Sequence, residues 1–269
     1  MNLEPTRNQR LLVATLRRAS VAAPGGATGW DVLEAVEVTA AASHDVPTVL
    51  RWGLLDWCLA LEELGVAGHD AALAWAVHAA LDAFPDEHQL PESPQRLESV
   101  VERCRSEAGV PLASGATDTL TDRELITRAA YAIGVGHGCL ELAQARAADR
   151  RISGRRLIEL QGPAHRLAHA AVLLVDARIG VWRAATDEDA GTPAGGWAAA
   201  CAASSVHAAV VAAHELVQAH GAAGTGDQRV VELYRSAYAL PHACGSPQLL
   251  WERVGRQWLA DCAPSPEAC

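Results

Sequence analysis

The sequence predicts an all-α fold, and three observations predict it. Alanine, the strongest helix former, leads an apolar half filled out mainly by Leu and Val. No useful length of Val, Ile or Thr alternates at period two, the pattern of a half-buried strand. Helix-start signals stand ahead of the long apolar-periodic stretches.

The elements follow in order. Residues 6–19 and 29–42 read as two helices split by Pro24-Gly25-Gly26. A third spans 48–64, with Leu50, Leu54, Leu55, Trp57, Leu61 and Leu64 on its apolar side, and Gly65 is its expected stop. Asp70 caps a fourth over 71–84, ended by Pro85. Ser93-Pro94 is an N-cap followed by proline at the first helical position, opening a helix to Ala108 with Gly109 after it. Residues 109–119 read as an irregular linker. Thr121-Asp122-Arg123-Glu124 is a capping box that opens a long helix to Asp149. Two more long helices, 163–186 and 195–219, are joined by the acidic turn 187–193, so short that they must be antiparallel neighbours. A glycine loop from Gly221 to Gly226 leads to helices at 228–238 and 247–261, and residues 263–269 read as a frayed tail. The chain thus divides into an N-terminal helical region (1–84), a connector (85–119) and a C-terminal bundle (120–262).

Composition excludes several function classes. All 22 basic residues are Arg, so a lysine Schiff base and a P-loop lysine are impossible. A formal charge of -10 argues against nucleic acid and anionic membrane as partners. No uninterrupted apolar run of membrane-spanning length occurs, and the polar, acidic start does not resemble a signal peptide. The 7 Cys are odd in number and contain no C-x-x-C pair, which fits free thiols in a reducing, cytoplasmic setting. The 8 Trp, at helical spacing, are expected to fill gaps in a small-residue core.

Five histidines form a candidate metal constellation. His165 and His169 stand at i,i+4 on one long helix, while His207, His214 and His220 lie along its antiparallel partner. The paired Glu-x-x-His segments of di-iron bundles are absent, and Glu215 is adjacent to His214 rather than on its face. Partly exposed or core histidines are the expectation, with no metal.

Three stretches carry a more specific signal. They are Arg150-Arg151-Ile152-Ser153-Gly154-Arg155-Arg156-Leu157 with Gln161 after it, Gln218-Ala219-His220-Gly221-Ala222-Ala223-Gly224, and Glu232-Leu233-Tyr234-Arg235 through Leu240-Pro241 to Gly245-Ser246. A glycine loop after a helix lets backbone N–H groups approach a phosphate, and a guanidinium pairs with it bidentately. In order and approximate spacing these stretches resemble the C-terminal helical domain of the acyl-CoA dehydrogenase superfamily, with its R-x-x-F-G-x-x-L-x-x-x-Q, Q-x-x-G-G-x-G and E-R-L-Y-R…L-P-x-x-E-G-T-S segments. Leu59-Ala60-Leu61-Glu62-Glu63-Leu64-Gly65 resembles part of the family's N-terminal helical domain more weakly.

The resemblance implies FAD, its diphosphate and adenine held across a subunit interface by Arg150, Gln161, Gln218, Gly221 and Gly224, with Ser246 for the family's loop threonine. It implies an acyl-CoA or acyl-carrier thioester as substrate, α,β-dehydrogenation as reaction, and a homo- or hetero-oligomer. There are departures. Ser153 replaces the family's Phe, Ala222 replaces the second loop glycine, and residues 85–119 are too short to hold the β domain that covers the flavin ring. The family's usual catalytic Glu position holds Cys244, and a thiol of ordinary pKa (~8.5) is a weak base. Some members carry the base on the first long helix instead, 26 residues before Arg150, and that position is Glu124. Glu124 is also the third residue of the capping box. The resemblance therefore supports a shortened dehydrogenase, an accessory subunit that completes a partner's site, or a flavin-free helical enzyme of other chemistry.

Overall fold

The computed structural model describes residues 5–23, 31–33, 53–68 and 120–261. The expected helices at 71–84 and 93–108, the connector and the tail lie outside the described residues, as does most of 29–42. What is described is all-α: α1 (Arg7–Ala22), α2 (Leu54–Ala67), α3 (Asp122–Asp149), α4 (Gln161–Asp189), α5 (Gly196–His220), α6 (Gln228–Ala243) and α7 (Pro247–Asp261). Between α3 and α4 sits one feature not anticipated, a two-residue antiparallel pair of β1 (Arg151–Ile152) and β2 (Arg155–Arg156). Its turn is Ser153-Gly154 at φ 51 and 83, the paired positive φ values of a tight hairpin.

The caps read from sequence are present. The Thr121 hydroxyl accepts from the Glu124 amide (3.2 Å) while a Glu124 carboxylate oxygen accepts from the Thr121 amide (2.8 Å). Thr6 and Gln9 make the same reciprocal pair at α1. Antiparallel packing of α4 on α5 is visible in Arg166 bonding Glu215 at 2.9 Å while Gly180 faces Cys201 further along.

α3 is the central element, packed against α2, α4, α5 and α6. Its crossing with α2 depends on glycine. A Cβ on Gly134 would lie 2.0 Å from the Glu62 carbonyl oxygen, and one on Gly65 would lie 2.6 Å from that of Tyr131. This corrects one expectation: Gly65 does not stop α2. It lets α3 approach, and α2 runs on to Ala67, where Gly68 at φ 80 ends it.

Residues Gly196–Gly226 are long and apolar enough to cross a membrane by length and composition, but 61% of their most apolar window is buried inside the protein. The burial is that of a core helix: Ala199, Ala202, Ala209 and Ala213 are closed off from solvent. Cys58, Cys139, Cys201 and Cys244 are buried free thiols. The tryptophans divide. Trp57 is a core residue, whereas Trp197, Trp251 and Trp258 are 51–71% exposed, against the expectation that they fill gaps. Leu, Val and Ala close the core without them. Trp30, Trp52 and Trp75 lie outside the described residues.

Three buried glutamates tie the helices together, each through an arginine of another element. Glu63 of α2 takes a bidentate pair from Arg17 of α1 (2.7 and 3.0 Å). Glu62 takes Arg178 of α4 (2.8 Å) and the Trp182 indole N–H (2.6 Å), and Glu215 of α5 takes Arg166. Arg suits this use because its planar fork matches a carboxylate.

A long-range cap adds to these ties. Asp189, the last residue of α4, accepts from the Leu54 and Leu55 amides at the start of α2 (2.7 and 3.1 Å). Asp189→Ala is expected to cost about 0.5–2 kcal/mol in a denaturant titration, the usual range for a lost N-cap. An unchanged midpoint would mean that water replaces the carboxylate at no cost.

Candidate functional site

The site begins where α3 ends. The Arg150 amide closes the last turn of α3 on Arg146 (2.8 Å), and its carbonyl accepts from Leu157 beyond the hairpin (2.7 Å). So anchored, the Arg150 guanidinium donates through Nη1 to the Ala219 carbonyl (2.8 Å) in the last turn of α5. A cation at a helix C-terminus is favoured by the helix dipole. Gly221 follows at φ 60, ψ -146, and a Cβ there would stand 3.2 Å from Arg150 Nη1. Only glycine suits both the conformation and the space.

Around this corner lie the other residues named from sequence. Gln218 is exposed in the last turn of α5, and Gln161 is exposed at the start of α4. Among the described residues neither side-chain amide has a hydrogen-bond partner, so both are open to a ligand. Gly224 differs. It is buried in the 3-10 turn Gly221–Gly226, where a Cβ would meet that of His220 at 2.9 Å, so its smallness serves packing. Asp227 then caps α6 by accepting from Arg229 and Val230.

The remaining candidates stand at the other end of α3. Glu124 is in its first turn, held to Thr121. Cys244, fully buried at the end of α6, places its sulfur 3.8 Å from the Arg128 carbonyl, and the Arg128 guanidinium donates to the Ala243 carbonyl. Burial pushes the Cys244 thiol up to about 12, which removes it as a thiolate base near neutrality. Ser246 precedes α7 and bonds Gln248 (2.6 Å), and Arg253 of α7 pairs with Asp122 (2.6 Å). The 26 residues from Glu124 to Arg150, at 1.5 Å each, put about 39 Å of helix axis between the two backbone positions. The candidate residues therefore fall into two groups at opposite ends of one helix.

The histidine constellation does not assemble. His165, His169, His207 and His214 are exposed, and His220 bonds the Leu216 carbonyl of its own helix (2.9 Å). Among the described residues no three metal-ligating side chains are placed to hold an ion.

Sequence reading missed the group whose acidity is moved furthest toward neutrality. Burial raises Glu62 to about 7, against the opposing pull of Arg178 and the Trp182 N–H. The signal available was a Glu-Glu pair inside an apolar helical run.

A family model described as acyl-CoA dehydrogenase, C-terminal domain, matches residues 116–259. No curated protein sequence matches the chain. Among solved structures it is similar to the ChsE4-ChsE5 complex from Mycobacterium tuberculosis, at TM-score 0.74 and 16% identity, covering 98% of this chain and 100% of that one. It is similar to PigA with FAD and proline, at TM-score 0.72 and 14% identity, covering 97% and 100%. Against a putative acyl-CoA dehydrogenase from Mycobacterium smegmatis the match is 24% identical at TM-score 0.48, covering 51% of this chain and only 36% of that one.

Proposed function

Because the chain belongs to the acyl-CoA dehydrogenase family, we propose that it is a flavin-binding subunit whose site for α,β-dehydrogenation of an acyl thioester is completed by a second chain. The observation that carries this reading is the separation of the two groups. The Arg150–Gly221 corner has the chemistry of a diphosphate cradle: a guanidinium fixed by one bond with its other N–H groups turned to no described partner, a glycine where a Cβ would crowd it, and two unpartnered amides. Neither candidate base lies within reach of that cradle in the same chain. An assembly in which one chain supplies the cradle and another the reacting end joins the two halves. That a structural neighbour, ChsE4-ChsE5, is a complex of two named chains supports looking for such a partner.

FAD, when bound, supplies the two-electron acceptor that desaturation of a thioester requires. The part of this chain is to hold the diphosphate through Arg150 and the Gly221 turn and to orient the adenine end through Gln161 and Gln218. At the opposite end, Ser246 lies in the turn before α7. A second reading is a self-sufficient dehydrogenase with Glu124 as base. It draws on the Glu124 oxygen not engaged with Thr121 and on the incomplete burial of the side chain.

Co-expression with a longer acyl-CoA dehydrogenase chain separates the readings. The proposal expects a co-purifying complex with flavin absorption near ~450 nm and thioester oxidation, and a colourless, inactive chain when purified alone. Activity of the chain alone, abolished by Glu124→Gln, would establish the second reading instead. A chain that neither takes up FAD nor joins a partner would overturn both.

A further inference from the structure

Two of the exposed tryptophans share a cleft that the flavin reading does not use. It is about 490 Å³, within the range of small-ligand sites, and lies between α4, α5 and the start of α7. Trp197 of α5 and Trp251 of α7 line it, each with about half its surface in solvent. Leu173 and Ala177 of α4 supply an apolar wall, and Gly180 opens its floor toward Cys201. The one carboxylate in the lining is Asp176, which is exposed and makes no ion pair or hydrogen bond among the described residues. No arginine lines the cleft.

Each of these features selects against something. Two indoles on the surface of a protein that fills its core with Ala, Leu and Val are not needed for packing within this chain. A lone carboxylate beside them repels anions, and the formal charge of -10 on the chain does so at longer range. Among the described residues no three metal-ligating side chains gather there to replace the hydration shell of a small inorganic cation. Indole faces attract a weakly hydrated organic cation through their quadrupole, and a carboxylate adds direct charge complementarity. We infer that the Trp197–Trp251–Asp176 cleft binds a small organic ammonium ion with an apolar body. Ser204 and His207, also in the lining, are placed to fix its orientation.

The test is calorimetric titration of the whole chain with benzyltrimethylammonium chloride, with benzyl alcohol as the uncharged control. The expected result is saturable one-site binding, weakened about tenfold or more by Asp176→Asn and by Trp251→Leu, with benzyl alcohol weaker by a similar factor. Raised salt should weaken the ammonium ion and leave benzyl alcohol unchanged. Both substitutions are at exposed positions, and an unchanged circular dichroism melt verifies that the variants fold. Equal binding of benzyl alcohol, indifference to Asp176→Asn, or no saturable heat would each overturn the inference. None of these outcomes depends on flavin or on a partner chain.

Discussion

Gly134→Ala is expected to destabilise the protein by about 3 kcal/mol or more, or to prevent folding, although alanine is the better helix former by about 1 kcal/mol. The reason is the crossing of α2 and α3. A methyl at position 134 would fall 2.0 Å from the Glu62 carbonyl oxygen, which is fixed helix backbone and cannot rotate away as a side chain would. The helices must separate, and the packing of the core that Leu61 and Leu64 share with Tyr131 and Val135 loosens with them. Gly255→Ala is the matching control. It lies within α7, where an added methyl would meet nothing within 4 Å, and is expected to stabilise by about 0.5–1 kcal/mol. Denaturant midpoints of the two variants check this contrast. Equal behaviour at both positions would mean that helix propensity, not the close crossing, governs these glycines.

The second large effect is a pH dependence that two groups mask from each other. Glu62 titrates at about 7 in the fold against an ordinary 4.5, raised by burial. Between those values the folded chain keeps a proton that the unfolded chain has lost. Stability from Glu62 therefore falls as pH rises through that window, by roughly 3 kcal/mol in total. His137 of α3 runs the other way. Burial, then the charges of Arg178 and Arg17, lower it from 6.5 to about 4. The unfolded chain binds the extra proton there, so this contribution rises with pH across nearly the same range. The two slopes offset. Glu62→Gln is expected to gain about 3 kcal/mol relative to the parent between pH 4.5 and 7, because the variant lacks the falling contribution. Arg178 is not stranded by the change, since a third of its side chain is in water and its guanidinium lies 4.4 Å over the Trp182 ring. His137→Gln should lose ground over pH 4–6.5. Chemical denaturation across that pH range measures both, and a pH-independent difference for Glu62→Gln would contradict the assignment.

What the sequence made legible was local. The Thr121–Glu124 capping box, the helix at 247–261 and the antiparallel α4–α5 pair all rest on short-range patterns, and each is present. Gly65 misleads because a glycine that ends a helix and one that admits a neighbouring helix look alike in one dimension. Only the partner at Gly134 distinguishes them. The Asp189 cap on α2 joins positions 135 residues apart, and no local pattern announces it. The exposed Trp197 and Trp251 depart from expectation because helical spacing gives a face, not what lies opposite it. For the candidate site, the sequence led to Arg150 and Gly221, which the fold brings together. The separation of Glu124 from Arg150 follows from helix rise, and the unbroken α3 helix turns that count into a distance.

An Arg150–Gly221 corner that holds the flavin diphosphate must set the flavin content per chain. In the proposed complex with a longer acyl-CoA dehydrogenase chain, Arg150→Ala should lower bound FAD at least about tenfold at a fixed FAD concentration, as loss of a charge-assisted anion contact predicts. Arg183→Ala, which removes only an exposed pair with Asp187, should leave the content unchanged. Full flavin occupancy in a folded Arg150→Ala complex would contradict a diphosphate site at this corner and leave Arg150 as a cap on α5.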